Sequence, residues 1–158
     1  MDSESTIRMG IISDTHGLLR AEVVNILSDV KLIIHAGDID TPNVLTDLKA
    51  LAPVVAVRGN MDRGGWADQL RLSELVETHG INIYVLHDLT QLDLDPQSAG
   101  IKVVVNGHTH KPLIYEKNNI LYFNPGSAGY HANNAPLAVG IITINKGKLY
   151  PKIVNLRG

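Results

Sequence analysis

Ile7-Arg8-Met9-Gly10-Ile11-Ile12 runs straight into Ser13-Asp14-Thr15-His16-Gly17, and that junction decides the fold class. Apart from Arg8 the first six residues are apolar and rich in Ile, the composition of a buried strand, and the next five are polar turn formers. Beyond them, Leu18–Ser28 carries apolar residues at 18, 19, 23, 26 and 27, which predicts a helix. The same phrase then recurs. Lys31–His35 reads as a second strand ending in Ala36-Gly37-Asp38, and Thr41–Leu51 as a second helix. Pro42 falls in that helix's first turn, where a missing N–H costs nothing. Val54–Val57 is a third strand, ending in Arg58-Gly59-Asn60. A βαβαβ order argues for a largely parallel sheet with right-handed crossovers.

The second half is richer in strands. Ser73–Thr78 and Ile81–Leu86 flank His79-Gly80, a hairpin turn, and Ile101–Val105 ends in Asn106-Gly107-His108. Leu113–Lys117 and Ile120–Phe123 flank Asn118-Asn119, a type I′ signal because Asn tolerates φ > 0. A last hairpin, Val139–Ile144 and Leu149–Val154, turns at Asn145-Lys146-Gly147-Lys148. With no repeat, low-complexity stretch or linker, residues 1–158 read as one α/β domain with two sheets.

Composition narrows the function classes. Apolar residues make up 44% and charged residues 19% of the 158, a globular composition with one core's worth of chain. One Trp, one Phe and five Tyr leave the core to aliphatic side chains. A net charge of −2 gives no footprint for nucleic acid or for an anionic membrane. The absence of cysteine excludes disulfides, thiolate-bound zinc and a thiol nucleophile. No apolar run reaches the roughly 18 residues that span a bilayer. Met1–Thr6 lacks the basic and apolar regions of a signal peptide, so a cytoplasmic protein is expected.

Polar residues able to bind a metal sit where the strands end. Asp14 and His16 follow the first strand, Asp38 the second and Asn60 the third; His87 follows the Ile81 strand, and His108 and His110 the Ile101 strand. In α/β sheets, ligands gather outside the carboxyl ends of strands. Asp-x-His and His-x-His place donors two residues apart, which in extended backbone puts both side chains on one side. Each motif alone has a plainer reading: a turn with a helix cap for Asp14 and Asp38, a left-handed turn for Asn60, a partly buried histidine for His87. The paired histidines after a buried strand favour a metal more strongly, and five such motifs at strand ends favour one site.

The chain resembles the calcineurin-like metallophosphoesterases, in particular their small single-domain phosphodiesterase branch. The resemblance runs from Ile7 to about Ile144. It rests on Ser13-Asp14-Thr15-His16-Gly17, His35-Ala36-Gly37-Asp38, Val57-Arg58-Gly59-Asn60-Met61-Asp62, Leu86-His87-Asp88, Gly107-His108-Thr109-His110 and Asn124-Pro125-Gly126-Ser127. It implies a four-layer αββα sandwich, two mixed β-sheets flanked by helices. It also implies a metal-dependent phosphoesterase acting on a small phosphate ester through a hydroxide between two metal ions. Asp14, His16 and His110 would bind the first metal, Asn60, His87 and His108 the second, and Asp38 both. A shared carboxylate lowers the repulsion between cations held roughly 3.5–4 Å apart. Carboxylate, imidazole and amide ligands suit Mn²⁺, Fe²⁺, Ni²⁺, Co²⁺ or Zn²⁺, and Mn²⁺ is the expected ion.

Two positions depart from the wider superfamily. Met61 stands where many members have a histidine thought to protonate the leaving group, although the small branch commonly lacks it. Asp88 stands where Gly often follows the ligand histidine. Asp62 has two readings, orienting a ligand or water and structural capping. His35 reads as a core histidine and His79 as a turn residue; His131 reads as surface, with the site as the alternative. Arg58 and Arg63 would meet a phosphate or pair with nearby acids, and Asn124–Ser127 is a turn supporting the metal loop. The expected partner is a small phosphate ester, with no nucleic acid, no membrane and a homo-oligomer left open. The competing function is a non-catalytic interaction scaffold of the same fold, like the small retromer subunit, which would show a missing ligand and an exposed apolar patch.

Overall fold

A computed structural model describes residues 6–129 and 135–157. Apolar alternation along its strands builds two sheets with a shared interior. The elements are β1 (Thr6–Ile12), α1 (Ala21–Ile26), β2 (Leu32–His35), α2 (Pro42–Lys49), β3 (Val54–Ala56), α3 (Gly65–Asp68), β4 (Ser73–Thr78) and β5 (Ile81–Leu86). A 3₁₀ turn (Leu89–Gln91) follows, then β6 (Val103–Val105), β7 (Leu113–Lys117), β8 (Ile120–Asn124), β9 (Ala138–Asn145) and β10 (Lys148–Asn155). The first sheet has the order β10-β9-β1-β2-β3 and the second β4-β5-β6-β8-β7.

Both sheets are mixed. In the first, β1, β2 and β3 are parallel, as the βαβαβ reading requires, whereas β9 pairs antiparallel with β1 and β10 antiparallel with β9. In the second, β5, β6 and β8 are parallel and the edge strands β4 and β7 antiparallel. Each hairpin turn has φ > 0 at both central residues: His79-Gly80, Asn118-Asn119 and Lys146-Gly147. The last of these is a two-residue turn, tighter than the four-residue turn expected, because Gly147 accepts the second left-handed position.

Period-two alternation sorts side chains between layers. Met9 and Ile11 of β1, Ile83 and Val85 of β5, Val103 and Val105 of β6 and Ile142 of β9 meet between the sheets. Phe123 is the aromatic exception in this aliphatic interior. Its ring lies where a Cβ on Gly140 would come within 2.4 Å of it, so the glycine makes room for the ring. The outer face of the first sheet, with Ile12, Ile33 and Ile141, packs on Val23 and Leu27 near α1 and on Val44, Leu45 and Leu48 of α2. Over the second sheet the outer layer is thin. Among the described residues, Leu89 of the 3₁₀ turn and Leu92 and Leu94 after it cover Leu86, Val104 and Ile120.

The first helix is shorter than its apolar spacing predicts, Ala21–Ile26 rather than Leu18–Ser28. The preceding residues are committed elsewhere. Beyond the end of β1 the backbone continues to bond along the loop after β2, Asp14 N–H to the Gly37 carbonyl, His16 N–H to Asp38 and Gly17 N–H to Ile39. These N–H groups are committed to the neighbouring loop, Leu18 N–H turns back to the Thr15 carbonyl, and the first helical bonds form only at the Arg20 carbonyl. No helix among the described residues is long and apolar enough to cross a membrane.

Candidate metal centre

That zipper places the Asp14–His16 loop beside Asp38, and the facing sheet completes the site. Gly107 N–H donates to the His87 carbonyl, and Ala128 N–H donates to Ser13. Asn124 donates from its side-chain amide to the Gly107 carbonyl and to Thr109 Oγ1, so the turn after β8 props the histidine loop.

Five of the seven expected ligand residues lie in left-handed and not extended backbone. Asp14, His16, Asp38, His108 and His110 have φ of 55°, 48°, 58°, 72° and 65°. Their side chains converge through left-handed turns and not through strand alternation, which corrects the geometric reading of the Asp-x-His and His-x-His spacings. Left-handed backbone costs energy in non-glycine residues and clusters at functional sites, where surrounding structure must impose it. Here the cross-loop hydrogen bonds impose it.

Two carboxylates form the centre. Asp14 is fully buried; its Oδ2 accepts from Ser13 Oγ at 2.6 Å and from His108 N–H at 3.1 Å. Its Oδ1 is buried with no hydrogen bond, while His110 Nε2, His16 Nε2 and His87 Nε2 stand 3.2, 3.7 and 4.0 Å away. Asp38 turns Oδ1 to the Met61 N–H at 2.8 Å and Oδ2 toward His87 Nε2 at 3.2 Å and His16 Nε2 at 3.9 Å. Burial pushes the Asp14 carboxyl up, but His110, His16, His87 and Ser13 together outweigh it and hold the group well below the usual carboxylate range.

Asp14, His16 and His110 bring ligand atoms within 4.8 Å of one another, and so do Asp14, Asp38 and His87. The first group is the trio expected for the first metal. The second shares Asp38 and His87 with the other expected set. His108 lies next to it, with Nδ1 3.3 Å from His87 Nε2. Asn60 is exposed and lines, with His87 and His108, a cavity of about 590 Å³. A buried carboxylate oxygen without a donor, ringed by imidazole nitrogens, is the donor chemistry a divalent transition metal takes. The residues present fit such an ion.

Neighbouring groups fix the imidazoles. A carbonyl only accepts, so the 2.8 Å contact from His87 Nδ1 to the Ala36 carbonyl places a proton on Nδ1 and leaves the Nε2 lone pair facing Asp38 in the neutral ring. Asp40 does the same for His16, at 3.2 Å from Nδ1. Asp14 and Asp40 hold His16 up at about 9, against the opposing pull of burial. For His87 burial pulls down, and the Asp38 contact with the Asp14 charge outweighs it, so its value is raised.

Asp40 escaped sequence reasoning; its signal is an acid two residues beyond Asp38, hard to tell from a helix cap. Asp62 resolves as a cap. Its buried carboxylate accepts the backbone N–H groups of Asp38, Ile39, Asp40 and Gly59 at 2.8–3.1 Å, tying the second ligand loop to the third. His35 is a satisfied core histidine. Gly37 N–H donates to Nδ1, so Nε2 carries the proton that bonds Thr15 Oγ1, which in turn donates to the Ile39 carbonyl. Arg58 pairs with Asp68 at 3.1 Å, Arg63 is exposed and His79 occupies its turn. Asp88 caps the 3₁₀ turn through Thr90, and its other oxygen lies 3.8 Å from His108 Nε2. Burial pushes its carboxyl up; the Thr90 hydrogen bonds and His108 outweigh this and lower it. His131 lies outside the described residues.

The sequence profile of the calcineurin-like phosphoesterase superfamily domain matches residues 7–147. The chain belongs to that superfamily. A probable metallophosphoesterase of Methanothermobacter thermautotrophicus is 37% identical over 158 aligned residues, covering 92% of this chain and 91% of its own. A phosphodiesterase of Methanocaldococcus jannaschii is 28% identical, covering 94% and 99%. Among solved structures, a novel archaeal phosphodiesterase superposes with a TM-score of 0.81 at 24% identity, over 95% of this chain and 100% of that one. Vacuolar protein sorting 29 of Cryptosporidium parvum superposes with a TM-score of 0.77 at 18% identity, over 96% and 98%. These likenesses bear out the calcineurin-like reading of the motifs, and the two structures show the fold alone.

Proposed function

We propose that this calcineurin-like phosphoesterase is a phosphodiesterase holding two divalent cations. Asp14, His16 and His110 hold the first, Asn60, His87 and His108 the second, and Asp38 is shared. The observation that carries the proposal is the buried Asp14 Oδ1 without a hydrogen bond, facing three imidazole nitrogens beside a second carboxylate. Relatives named metallophosphoesterase and phosphodiesterase support the reaction class. Mn²⁺ is the ion proposed, with Fe²⁺, Ni²⁺, Co²⁺ and Zn²⁺ as competitors for the same donors.

When bound, such cations supply Lewis acidity to the phosphoryl oxygens and acidify water. The chain's own contribution is placement. The Ala36 carbonyl and Asp40 orient His87 and His16, Met61 N–H fixes one oxygen of Asp38, and Asp62 holds the loop that carries it. The two buried carboxylates give the site negative charge that cations neutralise. The Met61 side chain is 47% exposed beside this loop and has no proton to give a leaving group.

A scaffold role like that of the small retromer subunit is the competing reading. It expects a missing ligand and an exposed apolar patch; Leu72, Leu75 and Leu113 are exposed, but each of the seven positions here carries a residue type able to ligate. A panel of nitrophenyl phosphodiesters and phosphomonoesters, assayed with each of the five metals, separates the readings. Diester hydrolysis is expected, and Asp38→Asn should lower it by more than the roughly 10–100-fold typical of losing an outer-shell partner. Asp38→Asn protein with wild-type rate and metal content would remove Asp38 from the centre, and no hydrolysis of any ester would return the scaffold reading.

A further inference from the structure

The cavity beside the metal centre carries information about the substrate. At about 590 Å³ it falls within the roughly 300–1,000 Å³ of small-molecule sites. Asn60, His87 and His108 form one part of its wall, so an ester at the centre would extend into it. Leu72, Tyr84, Leu86, Asp88 and Asp93 form most of the rest. Arg58 also borders it, and its charge is partly offset there, with Nη1 on Asp68 Oδ1 at 3.1 Å and Nε on the Asp62 carbonyl at 3.2 Å. Two acidic residues and a tyrosine therefore line this cavity, and Arg58, ion-paired with Asp68, is the one Arg or Lys among its lining residues.

We infer that this pocket receives one alcohol arm of the phosphodiester and selects an arm bearing an ammonium group. The inference rests on the phosphodiesterase reading and adds the substrate's charge to it. A cation gains from the Asp93 carboxylate and from the Tyr84 side chain, while its alkyl stem lies against Leu72 and Leu86. A phosphate or carboxylate on the same arm meets Asp88 and Asp93 instead and is rejected. Because Asp93 is exposed, screening keeps each contribution small, and together they give a preference of about three- to tenfold over an uncharged arm. Asp88, already partly used by Thr90, adds to the field more than to direct contact.

The test uses three diesters of nitrophenol that differ only in the second arm. One arm is choline, one its uncharged isostere with carbon in place of the quaternary nitrogen, and one a carboxylate-terminated chain of similar length. In each case water adds to phosphorus as the bond to the nitrophenyl oxygen breaks, releasing nitrophenolate, a proton and the arm's phosphomonoester. The expected order of kcat/KM is choline, then isostere, then carboxylate, with the difference in KM. Asp93→Asn should bring the choline-to-isostere ratio toward one. In parallel, calorimetric binding of the corresponding phosphomonoesters to Mn²⁺-loaded protein should follow the same order, whether or not turnover occurs. An isostere or carboxylate arm as good as choline, or a ratio that survives Asp93→Asn, would overturn the inference. If binding keeps the order while no diester is hydrolysed, the pocket assignment stands and the phosphodiesterase reading falls.

Discussion

Two histidines on neighbouring segments are driven in opposite directions by their surroundings. Burial pushes His35 down to about 3, while Asp14 and Asp40 hold His16 up at about 9. Between pH 6.5 and about 3 the unfolded chain binds a proton that folded His35 refuses, so stability is lost as pH falls through that window. His16 has the opposite sign: its contribution is fully present below 6.5 and is lost as pH rises through about 9. Metal-free protein should therefore be most stable near neutral pH in urea unfolding. The acid limb in His35→Gln should be shallower by about 1.4 kcal/mol per pH unit. An unchanged acid limb in that variant, or stability that keeps rising through pH 9 in the wild type, would contradict these assignments. Met61 sets a second expectation at this scale. General acid catalysis contributes roughly 10²–10⁴-fold, and without it the leaving oxygen must depart largely as an anion. Rates should then fall steeply with leaving-group pKa, and Met61→His should help alkyl esters more than aryl ones. A flat dependence with chemistry rate-limiting would mean that another residue supplies the proton.

Strands and turns were legible in the sequence because their signals are local. Ser73–Thr78 and Ile81–Leu86 begin and end where alternation and the His79-Gly80 turn put them. The Leu18–Ser28 helix was overestimated because the competing hydrogen bonds come from residues 37–39, distant in sequence. The placement of these polar residues at strand ends was legible for the same local reason. Their conformation was not: five of them lie in left-handed turns that only the packed loops impose. Asp40 and the part played by Asp62 were likewise out of reach, since both depend on contacts between loops. At this scale the glycines beside the ligands decide how close the loops come. A Cβ on Gly59 would stand 2.2 Å from Asp38 Oδ1, and one on Gly107 2.0 Å from Ser13 Oγ, whereas one on Gly65 meets nothing within 4 Å. Gly59→Ala and Gly107→Ala should each lower metal content, read by elemental analysis, and lower stability by about 1–3 kcal/mol. Gly65→Ala should leave metal content unchanged, and equal metal content in all three would contradict the close-approach account.

Each sheet supplies part of the centre. Asp14, His16, Asp38 and Asn60 follow β1, β2 and β3, while His87, His108 and His110 follow β5 and β6 of the other sheet. The hydrogen bond from His87 to the Ala36 carbonyl joins the sheets at the site itself. Ions bound there would tie the layers together and stabilise the native state by mass action. Whether the buried Asp and His cluster is a catalytic metal centre is read by titrating Mn²⁺ into chelator-stripped protein. Hydrolysis of a nitrophenyl phosphodiester and bound metal are followed together. Activity should be absent at zero metal and should rise to saturation near two equivalents per chain. Undiminished hydrolysis by protein shown to contain no metal would contradict that role for the cluster.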